Sequence, residues 1–229
     1  MRAFPEKKLA PKMLSHIYKK HKIRKKKIKI TKILSDVEHR KIRFQVPEAR
    51  EALQAAIDDG FHVIFVDEMM VTKSTIPTHD YSQKNSQIRI DYKQYAKETI
   101  AVLAGVSAEM GLDLVMTFQK SVNITKFKTY LEELRRKYFF DDLCLYFDNL
   151  SVHRSKDVKE RLEELGIRYI FAPVYSPDFN PIEFVFSIVK REIKKERLKA
   201  ILHEKSIDLN KVIHEKFNGV NILSIVNCI

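Results

Sequence analysis

The chain has 229 residues, 45% of them hydrophobic and 31% charged, with five glycines, which predicts one globular core of about 150 residues or more plus an appendage. Two cysteines, Cys144 and Cys228, provide neither a disulfide framework nor a spaced metal-binding set, which indicates a reducing compartment. The chain shows no signal-peptide core near its start and no run of 18 apolar residues, so we expect a soluble intracellular protein with no membrane partner.

Positive charge is concentrated at the N-terminus. Residues 1–43 hold 16 Lys and Arg against three acids, so this part accounts for almost all of the net charge of +12. Such a footprint indicates a polyanionic partner, and beside a nuclease-type core double-stranded DNA becomes the favoured one. A solvated tail or an import signal also explains a basic run of this kind. The candidate DNA-binding residues follow a short helix predicted around residues 14–18: Lys19, Lys20, Lys22, Arg24, Lys25, Lys26 and Lys27.

Helix and strand patterns begin after the basic segment. Residues 36–44 and 47–59 predict two helices. Residues 61–66 (FHVIFV) form an apolar and β-branched strand pattern that ends in Asp67 and Glu68.

The middle of the chain predicts a hairpin followed by a helix. Two strand patterns, residues 100–106 and 112–118, flank a turn at 107–111. The helix is predicted over residues 123–138, and its sheet-facing side is formed by Phe127, Tyr130, Leu131 and Leu134.

The stretch from residue 143 to 186 organises the candidate site. Its patterns indicate a strand, a helix, a strand, a turn and a helix, at residues 143–147, 155–165, 167–172, 173–180 and from 180 onward. Parallel strands joined by a right-handed helical crossover end at the same edge of a sheet. Asp148 follows the first strand and Glu183 opens the last helix, so we expect both to meet Asp67 at that edge.

Three carboxylates at one sheet edge imply bound cations. Each pair repels by roughly 4 kcal/mol at about 4 Å and an effective dielectric near 20. Oxygen ligands without a Cys or His cluster suit Mg²⁺ or Mn²⁺, and two such ions support phosphodiester cleavage.

Several of these residues also have a purely structural interpretation. Asn180 with Pro181 and Glu183 matches a helix capping box. Turn formation also explains the polar residues that follow strands, namely Asp67, Asp148 and Asn149.

Three further polar residues are assigned away from the metal. His153 is interpreted as structural or DNA-positioning, because an all-oxygen site needs no imidazole. Asp178 is interpreted as a turn former. Strand alternation would turn Glu68 to the face opposite Asp67.

Three short motifs surround the acids: IFVDE at 64–68, DNLSVH at 148–153 and PVYSPDFNPIE at 173–183. They resemble the signature blocks of mariner-superfamily DDE transposases. The 34 residues between Asp148 and Glu183 match the branch of that family whose third acid is Glu.

The resemblance covers about residues 14–220 and implies an α/β fold, a ribonuclease H-like mixed sheet flanked by helices, with a short basic helical N-terminal segment. It implies that Asp67 bridges two Mg²⁺ or Mn²⁺ ions while Asp148 and Glu183 each hold one. The resemblance also implies supporting roles for six other motif residues: Asn149, His153, Tyr175, Pro177, Asn180 and Pro181.

Mariner relatives carry paired helix-turn-helix units before the catalytic core. Residues 13–31 resemble the end of the second unit with its basic linker, so we expect a basic segment at 1–45 and a catalytic domain at 46–229.

The function implied is a DNA transposase that performs metal-dependent strand cleavage and strand transfer of a mobile element. We expect a homodimer on DNA, in the nucleus of a eukaryote or otherwise in the cytoplasm with the nucleoid. Two alternatives remain open, a non-catalytic or domesticated DNA-binding derivative and a ribonuclease H-like nuclease without strand transfer.

Overall fold

The computed structural model describes residues 11–21, 35–72, 75–76, 99–173, 179–203 and 205–226. The chain divides into two units, Met1–Asp36 and Val37–Ile229. In the first unit, helix α1 spans Pro11–Lys20 and ends in two exposed lysines, Lys19 and Lys20. A basic helical segment is therefore present near the N-terminus, as predicted.

The described part of the rest of the chain consists mainly of strands and helices. The strands are β1 His62–Val71, β2 Ile100–Ser107, β3 Gly111–Gln119, β4 Leu143–Phe147 and β5 Arg168–Phe171. The helices are α2 Asp36–Asp58, α3 Ile124–Lys137, α4 Lys156–Glu164, α5 Ile182–Leu202, α6 Leu209–Gly219 and α7 Ile222–Val226. The predicted domain division after residue 45 lies within α2 and stays a prediction.

The five strands form one mixed sheet in the order β3-β2-β1-β4-β5. β1, β2 and β3 pair antiparallel, whereas β4 runs parallel to both β1 and β5. The predicted hairpin and the predicted parallel pair of strands are thereby confirmed. The α4 crossover between β4 and β5 starts at Ser155, whose Oγ accepts the N–H of Val158, and is followed by Gly166 at φ +60°.

Helices cover both faces of the sheet. On one face, α3 buries the four side chains predicted for it, Phe127, Tyr130, Leu131 and Leu134, and α4 adds Val158 and Leu162. On the other face, α5 and α6 pack on β1 and β2, while Ala56 of α2 packs against residues of β1, β4 and β5. This arrangement is the mixed sheet flanked by helices that the sequence predicts.

The structure corrects two predicted boundaries. β1 does not end at Val66 but continues through Asp67 and Glu68 to Val71, because it stays paired with β2 after β4 has ended. The two helices predicted at 36–44 and 47–59 form the single helix α2 with Pro47 inside it. Pro47 has no N–H to donate to the Arg43 carbonyl. Both residues are exposed, so water can hydrogen-bond to that carbonyl instead.

No helix within the described residues is both long and apolar enough to cross a membrane.

Candidate active site

The strand register places two of the predicted acids side by side. Val66 of β1 and Phe147 of β4 form the last parallel pair, so Asp67 and Asp148 are the next residues on neighbouring strands. Adjacent strands lie about 4.8 Å apart. Asp67 also alternates with Met69 and Val71, which pack in the same cluster as α5, so it lies on the α5 face of the sheet.

Asp67 is partly buried and interacts with both other acids. Burial, the largest cause, together with the charges of Glu183 and Asp148 raises its pKa to about 7, against the opposing effects of the Glu68 N–H and His153. That N–H donates to Asp67 Oδ1 at 2.7 Å. Asp67 is therefore a partly buried acid in electrostatic contact with the other two predicted acids.

Asp148 is held by His153. The imidazole Nδ1 lies 2.7 Å from Asp148 Oδ1 and 3.2 Å from the Asp148 carbonyl oxygen. Both oxygens are acceptors, so Nδ1 carries the proton and donates to them. His153 is 3% exposed, with ring centroids 4.5 Å from Phe127 and 5.1 Å from Phe147. The packed ring holds the Asp148 carboxylate in place, and the structural or DNA-positioning role of His153 stays a prediction.

Glu183 lies exposed in the first turn of α5. Before it, buried Asn180 accepts the Ile182 N–H at 3.4 Å through Oδ1, and its carbonyl accepts the Glu183 N–H at 3.2 Å. Pro181 occupies the N-cap position of α5 and is buried. Asn180 and Pro181 thus help to shape the start of the helix that carries Glu183.

The remaining predicted residues fall into two groups. Glu68 accepts the Val122 N–H at 3.5 Å, which confirms that it points away from Asp67. Asn149 is half-buried, and within the described part of the chain its Oδ1 has no hydrogen-bond partner. The other predicted residues lie outside the described residues: Tyr175, Pro177 and Asp178, and the basic residues Lys22, Arg24, Lys25, Lys26 and Lys27.

The donor set suits a hard cation, although the acids are not gathered as a finished ligand cluster. Among the described residues, no three His, Cys, Asp or Glu side chains are arranged to hold a metal ion. Carboxylates that lie close together repel unless a cation lies between them, and Asp148 bonds to His153. The acids supply only oxygen ligands, and burial together with the charges of Glu183 and Asp148 raises the pKa of Asp67, an effect that a bound cation would oppose.

Replacing His153 separates the orientation of Asp148 from the packing of the core. His153→Phe keeps an aromatic ring between Phe127 and Phe147 but removes the donor to Asp148, whereas His153→Asn places an amide N–H near the Nδ1 position. Loss of a partner that orients a metal ligand typically costs 10–100-fold. We expect His153→Phe to lower Mn²⁺ affinity by about that factor with little loss of stability, and His153→Asn to retain more affinity despite lower stability.

Calorimetric Mn²⁺ titration and urea unfolding measure the two effects. Equal Mn²⁺ affinity in the wild-type chain and His153→Phe would contradict the orienting role.

Comparison with known families finds one sequence match. The DDE superfamily endonuclease family matches residues 62–202, more than half of the chain and the whole span from β1 to α5. No curated protein matches the chain by sequence.

Comparison with solved structures finds Mos1 transposase. Its paired-end complex with the left transposon end is 16% identical with a TM-score of 0.60, covering 95% of this chain and 70% of that one. The catalytic domain of Mos1 mariner transposase is 14% identical with a TM-score of 0.56, covering 86% of this chain and 89% of that one. This likeness confirms the ribonuclease H-like fold predicted from the motifs.

Proposed function

Because this chain belongs to the DDE superfamily of endonucleases, as its motifs predict, we propose that it is a mariner-type DNA transposase. The observation that carries the proposal is the meeting of Asp67 and Asp148 at the end of paired parallel strands, with Glu183 close enough to raise the pKa of Asp67. Three acids in electrostatic contact at one sheet edge suit a reaction on a phosphodiester.

The proposed reaction has two in-line steps. In the first, a water oxygen attacks the phosphorus at an element end, the bond from phosphorus to the 3′ oxygen breaks, and that oxygen takes a proton to leave as a hydroxyl. In the second, the freed 3′-hydroxyl attacks a phosphorus of target DNA, loses its proton to solvent and displaces the 3′ oxygen of the target strand. No covalent bond to the protein forms in either step.

Asp67, Asp148 and Glu183 would hold two Mg²⁺ or Mn²⁺ ions. The chemistry that such ions supply when bound is Lewis-acid activation of the attacking oxygen and stabilisation of the leaving one. Solved structures of Mos1 transposase with Mn and with Mg support this choice of metal. Within the protein, His153 keeps one oxygen of Asp148 occupied and the carboxylate oriented.

The assembly follows from the reaction. Two element ends must be held together for strand transfer, so we expect a homodimer on DNA. The protein would act where its DNA is, in the nucleus or in the cytoplasm with the nucleoid.

A cleavage assay tests the proposal. Labelled duplex DNA carrying the element's terminal repeats is incubated with the protein and Mg²⁺, Mn²⁺ or EDTA. Metal-dependent nicks with joined products are the expected result. Nicks without joined products would favour the nuclease without strand transfer, and binding without nicks would favour the non-catalytic derivative.

The basic N-terminal residues are proposed to bind phosphates of the duplex. Replacing the seven candidate residues with glutamine (Lys19, Lys20, Lys22, Arg24, Lys25, Lys26 and Lys27) should weaken binding and flatten its salt dependence. The log-log slope should fall by roughly 0.9 for each lost phosphate contact. Binding to one duplex at several salt concentrations measures this, with urea unfolding as the control for an intact core. An unchanged slope would show that this segment does not touch DNA.

A further inference from the structure

One face of α5 runs from Glu183 to two lysines. Glu183, Ser187, Lys190 and Lys194 are spaced by four, three and four residues, a spacing that places them in a row on one side of a helix. Ser187 is exposed and the two lysines are half-exposed. The row therefore extends along the helix from the candidate active site.

The two lysines on this row differ from the other bases of α5. Arg191 and Lys195 lie 3.4 Å and 2.9 Å from Glu192 Oε1, so an acid of the same helix compensates them. Lys199 lies 3.1 Å from Glu196, which also pairs with Lys216 of α6 at 3.5 Å. Within the part of the chain that the structure describes, neither Lys190 nor Lys194 has a carboxylate or hydrogen-bond partner.

Uncompensated charge at these two positions has a cost. Like charges four residues apart on a helix repel. At the neighbouring positions of α5, glutamates form ion pairs with the bases and offset this repulsion. The row that continues from Glu183 omits those acids. This pattern suits a polyanion that lies along the helix and supplies the negative charge itself.

We propose that Lys190 and Lys194 bind backbone phosphates of the DNA strand that is cut beside Glu183. The assignment rests on the proposed function, which puts a phosphodiester at the acids. At 1.5 Å per residue, the two lysines lie about 10 Å and about 16 Å along α5 from Glu183. One strand of duplex DNA presents a phosphate about every 3.4 Å along its axis. A strand that follows α5 away from the cut therefore places successive phosphates first beside Lys190 and then beside Lys194.

Matched double variants test the assignment. Lys190→Gln/Lys194→Gln removes the two uncompensated charges, and Lys195→Gln/Lys199→Gln removes two paired charges from the same helix. Both change the net charge equally, so a general electrostatic effect would be the same in both. Binding to a duplex with a pre-made nick is measured in EDTA between 0.05 and 0.3 M salt.

The first variant should bind roughly sixtyfold more weakly near 0.1 M salt, with a slope lower by about 1.8, because each phosphate contact contributes about 0.9 to the slope. The control variant should stay within about twofold of the wild-type chain. Equal losses in both variants, or none in the first, would overturn the assignment.

Neutral phosphates locate the contacts on the strand. Methylphosphonate groups placed in turn at the phosphates that follow the nick should, at the contacted positions, weaken binding of the wild-type chain and leave the Lys190→Gln/Lys194→Gln variant unaffected. If they weaken both proteins equally, the lysines bind elsewhere or serve an acidic protein partner, and the assignment fails. Because these measurements need no cleavage, a negative cleavage assay would refute the catalytic function without deciding this result.

Discussion

Replacing Asp67 with asparagine is expected to stabilise the metal-free protein at pH 8 by up to about 4 kcal/mol. The folded protein raises the pKa of Asp67 from 3.8 to about 7, and each pKa unit corresponds to about 1.4 kcal/mol. Asparagine removes the buried charge and its repulsion by Asp148 and Glu183. Its side-chain oxygen can still accept the Glu68 N–H that Asp67 accepts at 2.7 Å.

The sign of the pH dependence follows from proton binding. Between about pH 4 and pH 7 the folded state keeps a proton on Asp67 that the unfolded chain has lost, so the stability of the wild-type chain falls as pH rises through this window. Above pH 7 both states are ionised and the penalty is constant. The advantage of Asp67→Asn should therefore be roughly 2 kcal/mol at pH 5 and about twice that at pH 8.

Urea unfolding in EDTA at the two pH values measures this difference. Glu163→Gln, at an exposed position of α4, is the matched control and should change stability little at either pH. Excess Mn²⁺ should narrow the difference at pH 8, because it stabilises a chain that binds it by about 2.7 kcal/mol at 100 times its dissociation constant. If Asp67→Asn were less stable than the wild-type chain at pH 8 in EDTA, the ionised Asp67 carboxylate would not destabilise the folded protein.

The local parts of the fold could be predicted because their signals are local. The apolar run before Asp148, the Ser155 cap and Gly166 mark β4 and α4 in adjacent residues. The length of β1 could not be predicted in this way. The polar residues Asp67 and Glu68 predict the end of the strand. Pairing with β2 instead continues β1 to Val71, and no local sequence pattern indicates this pairing.

The same distinction applies to the site. The right-handed parallel crossover predicts that β4 and β5 end at one sheet edge, which places Asp148 near the turn that leads to Glu183. Asp67 joins this edge because β1 pairs in parallel with β4. The bond from His153 to Asp148 depends on ring packing against Phe127, which lies on a distant helix, so the sequence alone gave His153 only a general structural role. The row from Glu183 to Lys190 and Lys194 was accessible from the period of the helix. Only the ion pairs of the neighbouring bases show that this row is uncompensated.

Replacing Asp148 with asparagine is expected to lower strand cleavage by about a thousandfold while leaving DNA binding within about twofold. The substitution keeps the size of the side chain, and an amide oxygen can still accept from His153 Nδ1, which now lies 2.7 Å from the carboxylate. What is lost is one ligand charge. Metal-ion catalysis contributes several kcal/mol of transition-state stabilisation, and about 1.4 kcal/mol corresponds to a factor of ten in rate.

Single-turnover cleavage with Mn²⁺, together with duplex binding in EDTA, separates the two effects. Asp141→Asn is the matched control, because Asp141 is an exposed acid that precedes β4 at the end of the strand away from Asp148. It should retain both cleavage and binding. Cleavage by Asp148→Asn within tenfold of the wild-type rate would remove Asp148 from the catalytic acids. A parallel loss of cleavage and binding would instead place Asp148 in DNA contact, because a carboxylate that serves only the metal should not help a polyanion to bind.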